Sequence, residues 1–414
     1  MLSKSQKKNA AAIIAAQTCT RIGDVLTNPK TVLTWLLSQL GTTGFFIGML
    51  APIRESGSML PQLFVSGWVK RARSRKWVFI GGALAQAVCI SAMGASALWM
   101  SPNLAGGVVI FSLVAFSLSR AFCSISSKDV LGLAIPKGFR GRVTGASATI
   151  SGIISAFAAA GLIFLRDYDT ATLLAWIVLG ASILWVLGAG LYSLIHEPIP
   201  EPAEVTQSPD SAVNDLWERV GLVIRDPLFR RFIIVRTLLL GSALASPLIV
   251  VLARTKEGNL LSLVGFLVAT AVATSASSLL WGKMADRSSH VTMALGGLAC
   301  AVIGIAAICM AVWMPVSGKT IWAVWLWPLI FLLFNLGYTG VRLGRKVWVV
   351  DAVEGDKRTD YVSTSNTLIA VAILVMGLLT APLQSISPLL PLGVYSILCI
   401  IGSILAFTLA GQEK

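Results

Sequence analysis

Runs of about 20 apolar residues follow one another along almost the whole chain, and a run of that length is what an α-helix needs to cross the hydrocarbon core of a bilayer. In lipid every backbone N–H and C=O must be satisfied within the segment, so such runs fold as helices rather than loops or open sheet edges. The 414 residues are 56% hydrophobic and only 13% charged, with a mean hydropathy of +0.80. A soluble domain carries roughly 25% charged residues. The expected fold is therefore an all-α membrane protein with twelve transmembrane helices. They are placed near residues 10–38, 43–69, 77–100, 104–134, 142–164, 172–195, 228–253, 259–282, 291–315, 320–352, 361–384 and 387–410. The first run holds Arg21, Asp24 and Lys30 and has no cleavage site, so it is read as a retained span and not as a signal peptide.

One polar, Pro-rich and acidic stretch, EPIPEPAEVTQSPDSAVND, divides the spans six and six. The expected organisation is two pseudo-symmetric six-helix bundles, 1–196 and 228–414, joined by a cytoplasmic linker over 197–227. The halves repeat each other. Gly23, Leu26 and Pro29 in GDVLTNP meet Gly241, Leu244 and Pro247 in GSALASP at an offset of 218, which also aligns Lys128, Ala134, Arg140, Ser147 and Thr149 with Lys346, Ala352, Arg358, Ser365 and Thr367. Repeats of this kind are a hallmark of secondary transporters, whose halves rock around a central site.

The formal net charge of +14 raises the question of nucleic acid, but the charges are distributed by side. The N-terminus and the loops after even-numbered spans collect Lys4, Lys7, Lys8, the run from Lys70 to Lys76, Lys137, Arg140, Arg142, Arg230, Arg231, Lys283 and Arg287, while the other side holds only Arg166, Arg254, Lys256 and Lys319. This is the positive-inside rule, and it puts both termini in the cytoplasm. The expected location is a bacterial inner membrane, with no nucleic-acid partner. The six cysteines lie in apolar spans without metal or redox spacing and read as packing residues, and His196 and His290 form no metal site.

More than three residues inside the span ends, the chain carries nine bases, Arg21, Lys30, Arg54, Arg120, Lys128, Arg236, Arg342, Arg345 and Lys346, against three carboxylates, Asp24, Glu55 and Asp129. A charge at the bilayer centre costs roughly 2.5–3.5 kcal/mol even on the lenient insertion scale, so such residues face a wet or protein-lined interior. A basic interior points to an anionic cargo. Span 1 sets Arg21, Asp24 and Asn28 on one helical stripe, span 4 sets Arg120, Ser124 and Lys128 at steps of four, and span 10 carries Asn335, Tyr338, Thr339, Arg342, Arg345 and Lys346 on one face. Substrate contacts are expected from Arg21, Arg54, Arg120, Arg236, Asn335, Tyr338, Arg342 and Arg345, because guanidinium suits bidentate contact with carboxylate or phosphate. For Lys128, Arg345 and Lys346 a second reading stands, that they snorkel to lipid headgroups. Asp24 and Glu55 are the expected proton-coupling groups. The opposing reading makes them permanent partners of nearby bases, as in a pair between Arg21 and Asp24.

After the eighth span the chain reads GKMADRSSH, in which Gly282, Ala285, Asp286 and Arg287 match the spacing of a loop motif, G-x-L-A-D-R-x-G-R-K. In this the chain resembles the major facilitator superfamily. The equivalent after span 2, GWVKRARSRK, keeps Gly67, Arg75 and Lys76 but has Arg71 where the superfamily has Asp. The resemblance implies that the Asp caps a neighbouring helix and holds the outward-facing state. The N-terminal latch is then altered, and the gating-loop residues are Gly67, Arg71, Arg75, Gly282, Asp286 and Arg287. Arg120 followed by Ser124 resembles the superfamily's R-x-x-x-G motif, associated with proton-coupled members, and spans 1, 4, 7 and 10 would line the cavity.

The expected function is secondary active transport of a small organic anion or an anionic or zwitterionic metabolite, coupled to protons or another ion and working by alternating access. No P-loop, catalytic triad or haem motif is present, so neither an enzyme nor a cofactor is expected. Two alternatives stand beside it. One is a proton-coupled multidrug exporter of the same fold, in which Arg120 and the carboxylates serve coupling. The other is a non-transporting receptor or lipid-handling protein that retains the fold.

Overall fold

Pro29 interrupts the first span. Helix α1 runs Lys4–Leu26 and α2 runs Val32–Leu40, because proline has no N–H to donate and disfavours helical backbone at the residue before it. Two hydroxyls add hydrogen bonds at the break: Thr27 Oγ1 donates to Gly23 O at 2.9 Å, and Thr34 Oγ1 to Pro29 O at 2.6 Å. Span 7 is broken at the matching place, into α8 (Pro227–Leu238), α9 (Gly241–Leu244) and α10 (Ser246–Lys256), with Pro247 at the second residue of α10. Continuous helices over 10–38 and 228–253 are thereby corrected. The repeated heptapeptides GDVLTNP and GSALASP are the breaks themselves.

The computed structural model describes residues 3–57, 59–60, 72, 74–136, 138–165, 169–197, 221, 223–256, 260–313, 321–352 and 357–409. The remaining helices are α3 (Gly44–Gly57), α4 (Arg75–Trp99), α5 (Pro102–Ala134), α6 (Arg140–Gly161) with a 3-10 turn at Leu162–Leu165, α7 (Thr170–Ser193), α11 (Leu260–Arg287), α12 (Ser289–Trp313), α13 (Ile321–Ala352), α14 (Lys357–Ile386) and α15 (Leu389–Phe407). Among the described residues nine helical stretches are long and apolar enough to cross a membrane. The other three expected spans are the broken and polar first one, the second, which is described as helix only to Gly57, and the eighth, whose shorter apolar stretch is Leu261–Ala273.

Helix starts follow local chemistry. Ser3 and Gln6 form a reciprocal capping box at α1, Pro102 stands in the first turn of α5, and Asp226 accepts from the amides of Leu228 and Phe229 ahead of α8. Asp169 caps α7 through the Thr172 amide at 2.9 Å, and that hydrogen bond holds its carboxyl below the usual carboxylate range.

The chain forms two compact units, one of Met1–Asn28 and Gly57–Ser208, the other of Pro29–Ser56 and Pro209–Lys414. In the first, α4 packs against α5 and α7, and α1 against α6 and α7. Between lipid-facing helices there is little hydrophobic drive, so small residues and close van der Waals contact hold them. Gly94 is such a point, since a Cβ there would lie 2.5 Å from the Leu179 backbone nitrogen. Phe79 stacks on Tyr192 with ring centroids 3.8 Å apart. In the second unit α12 packs against α13 and α15, α11 against α13, α8 against α14 and α15, and α2 against α10. Helix α3 meets α14 at Gly48, where a Cβ would come within 2.9 Å of Ala381 Cα. Trp35 of α2 joins Phe266 and Phe331 in an aromatic run, with centroids 6.3 and 5.0 Å apart. Phe111, Phe157 and Phe164 are largely exposed, as side chains facing acyl chains should be.

Candidate functional site

The first unit gathers its charges around a cavity of 480 Å³ lined by Gln17, Arg21, Asp24, Gln86, Arg120, Ser124 and Lys128. Arg120 of α5 grips Asp24 of α1 in a two-pronged pair, one guanidinium nitrogen on each carboxylate oxygen. The stripe of Arg120, Ser124 and Lys128 therefore does face a cavity, and Lys128, though exposed, is part of its wall. A pair between Arg21 and Asp24 is corrected: Asp24 turns to Arg120, while Arg21, one turn earlier on α1, is exposed and lines the cavity. Gln86 was not singled out by the sequence, yet its amide bonds Cys123 Sγ at 3.0 Å and accepts from Trp185 Nε1 at 3.1 Å. Only its polarity inside an apolar run marks it.

The second unit holds the larger concentration of charge. Lys30, in the break between α1 and α2, pairs with Glu55 of α3 at 2.8 Å, and its ammonium lies 4.7 Å from the ring centroid of Tyr338 on α13. The Arg342 guanidinium approaches the same ring at 5.8 Å. Such cation–π contacts strengthen when desolvated. Arg54 and Arg345 are within electrostatic range of the Glu55 carboxylate, and Arg342 of Lys30. Arg236 on α8 is 7% exposed; one terminal nitrogen donates to Ser365 Oγ and the other to Asn366 Oδ1 at 2.9 Å, both on α14. Among the described residues no carboxylate forms an ion pair with Arg236, Arg342 or Arg345. Asn335 turns its amide back to Phe331 O at 2.8 Å on its own helix, and Lys346 is exposed.

The loop residues divide. Gly67 and Arg71 lie outside the described residues. Gly282, Asp286 and Arg287 form the end of α11, with Asp286 and Arg287 exposed. Arg75 opens α4 and pairs with Asp129 of α5 at 3.3 Å. The start of α4 is capped by Glu197, which accepts from the amides of Arg75 and Lys76 at 3.0 Å each and from Ser74 Oγ at 2.6 Å. Lys76 reaches back to Ser193 O at the end of α7 and to Ile195 O just past it. Sequence reading assigned Glu197 to the linker; an acid just past a span and a helix start rich in bases was the available signal.

Apolar helices in two repeated sets, with charged side chains held inside them, define a polytopic transport protein. The sequence profile of the Major Facilitator Superfamily matches residues 13–377, so the chain belongs to that superfamily and is a transporter rather than an enzyme. No characterised protein matches it significantly in sequence. Its fold is similar to that of the POT family transporter PepTSo, with a TM-score of 0.71 and 11% identity over 99% of this chain and 98% of that one. A mutant of the nucleoside transporter NupG gives 0.70 and 11% over 99% and 100%, and a bacterial homologue of the human lysosomal transporter Spinster gives 0.68 and 12% over 99% and 98%.

Proposed function

We propose that the chain is a proton-coupled secondary transporter of a small organic anion, or of a metabolite carrying an anionic group, with its two six-helix halves 1–196 and 228–414 alternating access in an inner membrane and both termini in the cytoplasm. The observation that carries the reading is the charge balance of the second unit among the described residues, where Lys30 pairs with Glu55, and Arg236, Arg342 and Arg345 form no ion pair with a carboxylate. Ion pairing of Lys30 with Glu55 cancels one charge of each sign. Cations left in a low-dielectric interior are costly unless an anion joins them.

The same geometry supports coupling. A proton on Glu55 ends its pairing with Lys30 and raises the positive charge facing the substrate by one, so proton and anion favour each other's binding. Asp24 serves the first unit in the same way, since its protonation releases the fork of Arg120 into the cavity. Arg21, Arg54, Arg120, Arg236, Arg342 and Arg345 are the proposed anion contacts, Tyr338 and Asn335 the neutral ones, and the loop residues Gly67, Arg71, Arg75, Gly282, Asp286 and Arg287 the gating set.

The test is a thermal-shift series on purified protein with organic anions and lipophilic cations, because a ligand that prefers the folded state raises apparent stability by mass action. Stabilisation by anions that disappears in Arg342→Gln is the expected result. Stabilisation only by cations or neutral drugs overturns the reading in favour of a drug exporter.

A further inference from the structure

We propose that the substrate's charged group is a doubly charged oxyanion, such as a phosphate monoester, and that it is seated by Arg236 and Arg345 in a subsite built by α8, α13 and α14. The inference rests on the anion-transport reading above and narrows its substrate class.

Arg236 is 7% exposed and its partners, Ser365 and Asn366, are neutral. A guanidinium has five N–H donors. Two are committed to α14, and among the described residues Nε is buried with no hydrogen-bond partner. The unpartnered Nε–H belongs to an edge of the fork that suits two oxygens of one group. Among the described residues the charge within electrostatic range of Arg236 is another cation, Arg345 of α13. Two cations held in range of each other in a poorly solvated place are mutually destabilising. One oxyanion with two charges reverses that, because it satisfies both cations at once where a monocarboxylate satisfies one.

A purely structural role for Arg236 is opposed by the repeat. The offset of 218 aligns Ser365 with Ser147, and in the first unit Ser147 Oγ donates to Gln17 Oε1 at 3.1 Å. Gln17 stands one place from the position aligned with Arg236. The same helix-to-helix tie is thus made there by two neutral side chains. Pinning these helices does not require a buried charge, so the charge on Arg236 has another use. Ser365 and Asn366 are positioning residues: they fix the guanidinium plane and, among the described residues, leave its Nε–H without a partner.

The experiment measures thermal stabilisation of the full-length protein by inorganic phosphate, sulfate and acetate at matched ionic strength, in the parent, Arg236→Gln, Arg236→Lys, Ser365→Ala and Arg342→Gln. The parent is expected to prefer phosphate and sulfate over acetate. Arg236→Gln should weaken both dianions by about tenfold or more, the scale of a lost charge-assisted contact, with acetate little changed. Arg236→Lys should restore part of the affinity, since it returns charge without the fork. Ser365→Ala keeps the charge and removes one tie, so it should reduce the dianion preference even if Arg236→Gln does not fold. A dianion preference that survives in both Arg236→Gln and Ser365→Ala overturns the subsite. Stabilisation by acetate that is lost in Arg342→Gln, without any preference for dianions, overturns the subsite and leaves the transport reading standing. No stabilisation by any of the three anions overturns both.

Discussion

Replacing Glu55 by Gln removes the carboxylate that pairs with Lys30 while keeping the shape of the side chain. At 2.8 Å the pair's Coulomb energy is about 6 kcal/mol at an effective dielectric near 20 and about 1.5 kcal/mol in water. The side chains are 16% and 21% exposed, which puts the pair near the buried limit with some screening. Removing one partner of a buried pair costs about 3–5 kcal/mol, and the residual exposure lowers that to about 2–4 kcal/mol. Arg54 and Arg345 lose the same counter-charge, which keeps the cost from falling further. For a unit of this size that corresponds to a fall in Tm of about 5–10 °C. The assay is thermal unfolding followed with a thiol-reactive dye, since Cys300 and Cys399 are buried free thiols in the same unit. Lys30→Met and the double variant complete a cycle, whose coupling energy is expected at about 1–3 kcal/mol. The variant also gains a net positive charge, so acetate should stabilise Glu55→Gln more than the parent. Costs for the two single variants that add to within about 0.5 kcal/mol, together with an unchanged response to acetate, would refute the argument that this pair balances the cluster.

Asp24→Asn leaves Arg120 without its two-pronged partner and should lower stability by about 1–3 kcal/mol, less than a fully buried pair because the two side chains are 30% and 20% exposed; an unfolding curve superimposed on the parent's would contradict it. Glu197→Ala removes three hydrogen bonds at the start of α4 and should cost about 1–2 kcal/mol, the range of a lost N-cap, whereas Glu197→Gln should recover part of it in the same melt. Gly94→Leu forces a side chain into the Leu179 backbone, so a well-dispersed, folded product in size-exclusion chromatography would show that α4 and α7 are not packed as described. For Asp169 the carboxyl is held low in the folded state, so its capping contribution is present above the ordinary carboxylate pKa and lost as pH falls through the folded value; Asp169→Ala should remove that acid-side loss and cost about 1 kcal/mol at neutral pH.

Hydropathy made the class of fold legible, since only helices keep their backbone satisfied in lipid, and the offset of 218 made the duplication legible. Arg120, Ser124 and Lys128 of span 4 line one cavity, because residues four apart share a helix face wherever the helix packs. Partners did not read so well. Asp24 has Arg21 three residues before it and Glu55 has Arg54 beside it, yet they pair with Arg120 and Lys30. Local spacing says which residues share a face, and packing between helices decides which face meets which charge. The breaks in the first and seventh spans were present in the sequence as Pro29 and Pro247, but hydropathy averages over a proline and reports one run. Gln17 and Gln86 carry no charge and no motif, so nothing in one sequence separates them from ordinary polar residues at a helix contact.

The chain passes from one unit to the other at residues 28–29 and back at 56–57, before the linker joins them a third time. Neither unit is therefore a contiguous gene product. A fragment beginning at Pro209 would inherit Arg236, Arg342 and Arg345 but not Lys30, Arg54 or Glu55, and a fragment ending at Ser208 would carry α2 and α3 with no surface from α10 or α14 to receive them. Severing the polypeptide in the linker therefore divides the second unit itself, and α2 and α3 find their surfaces on α10 and α14 only when both pieces are made together.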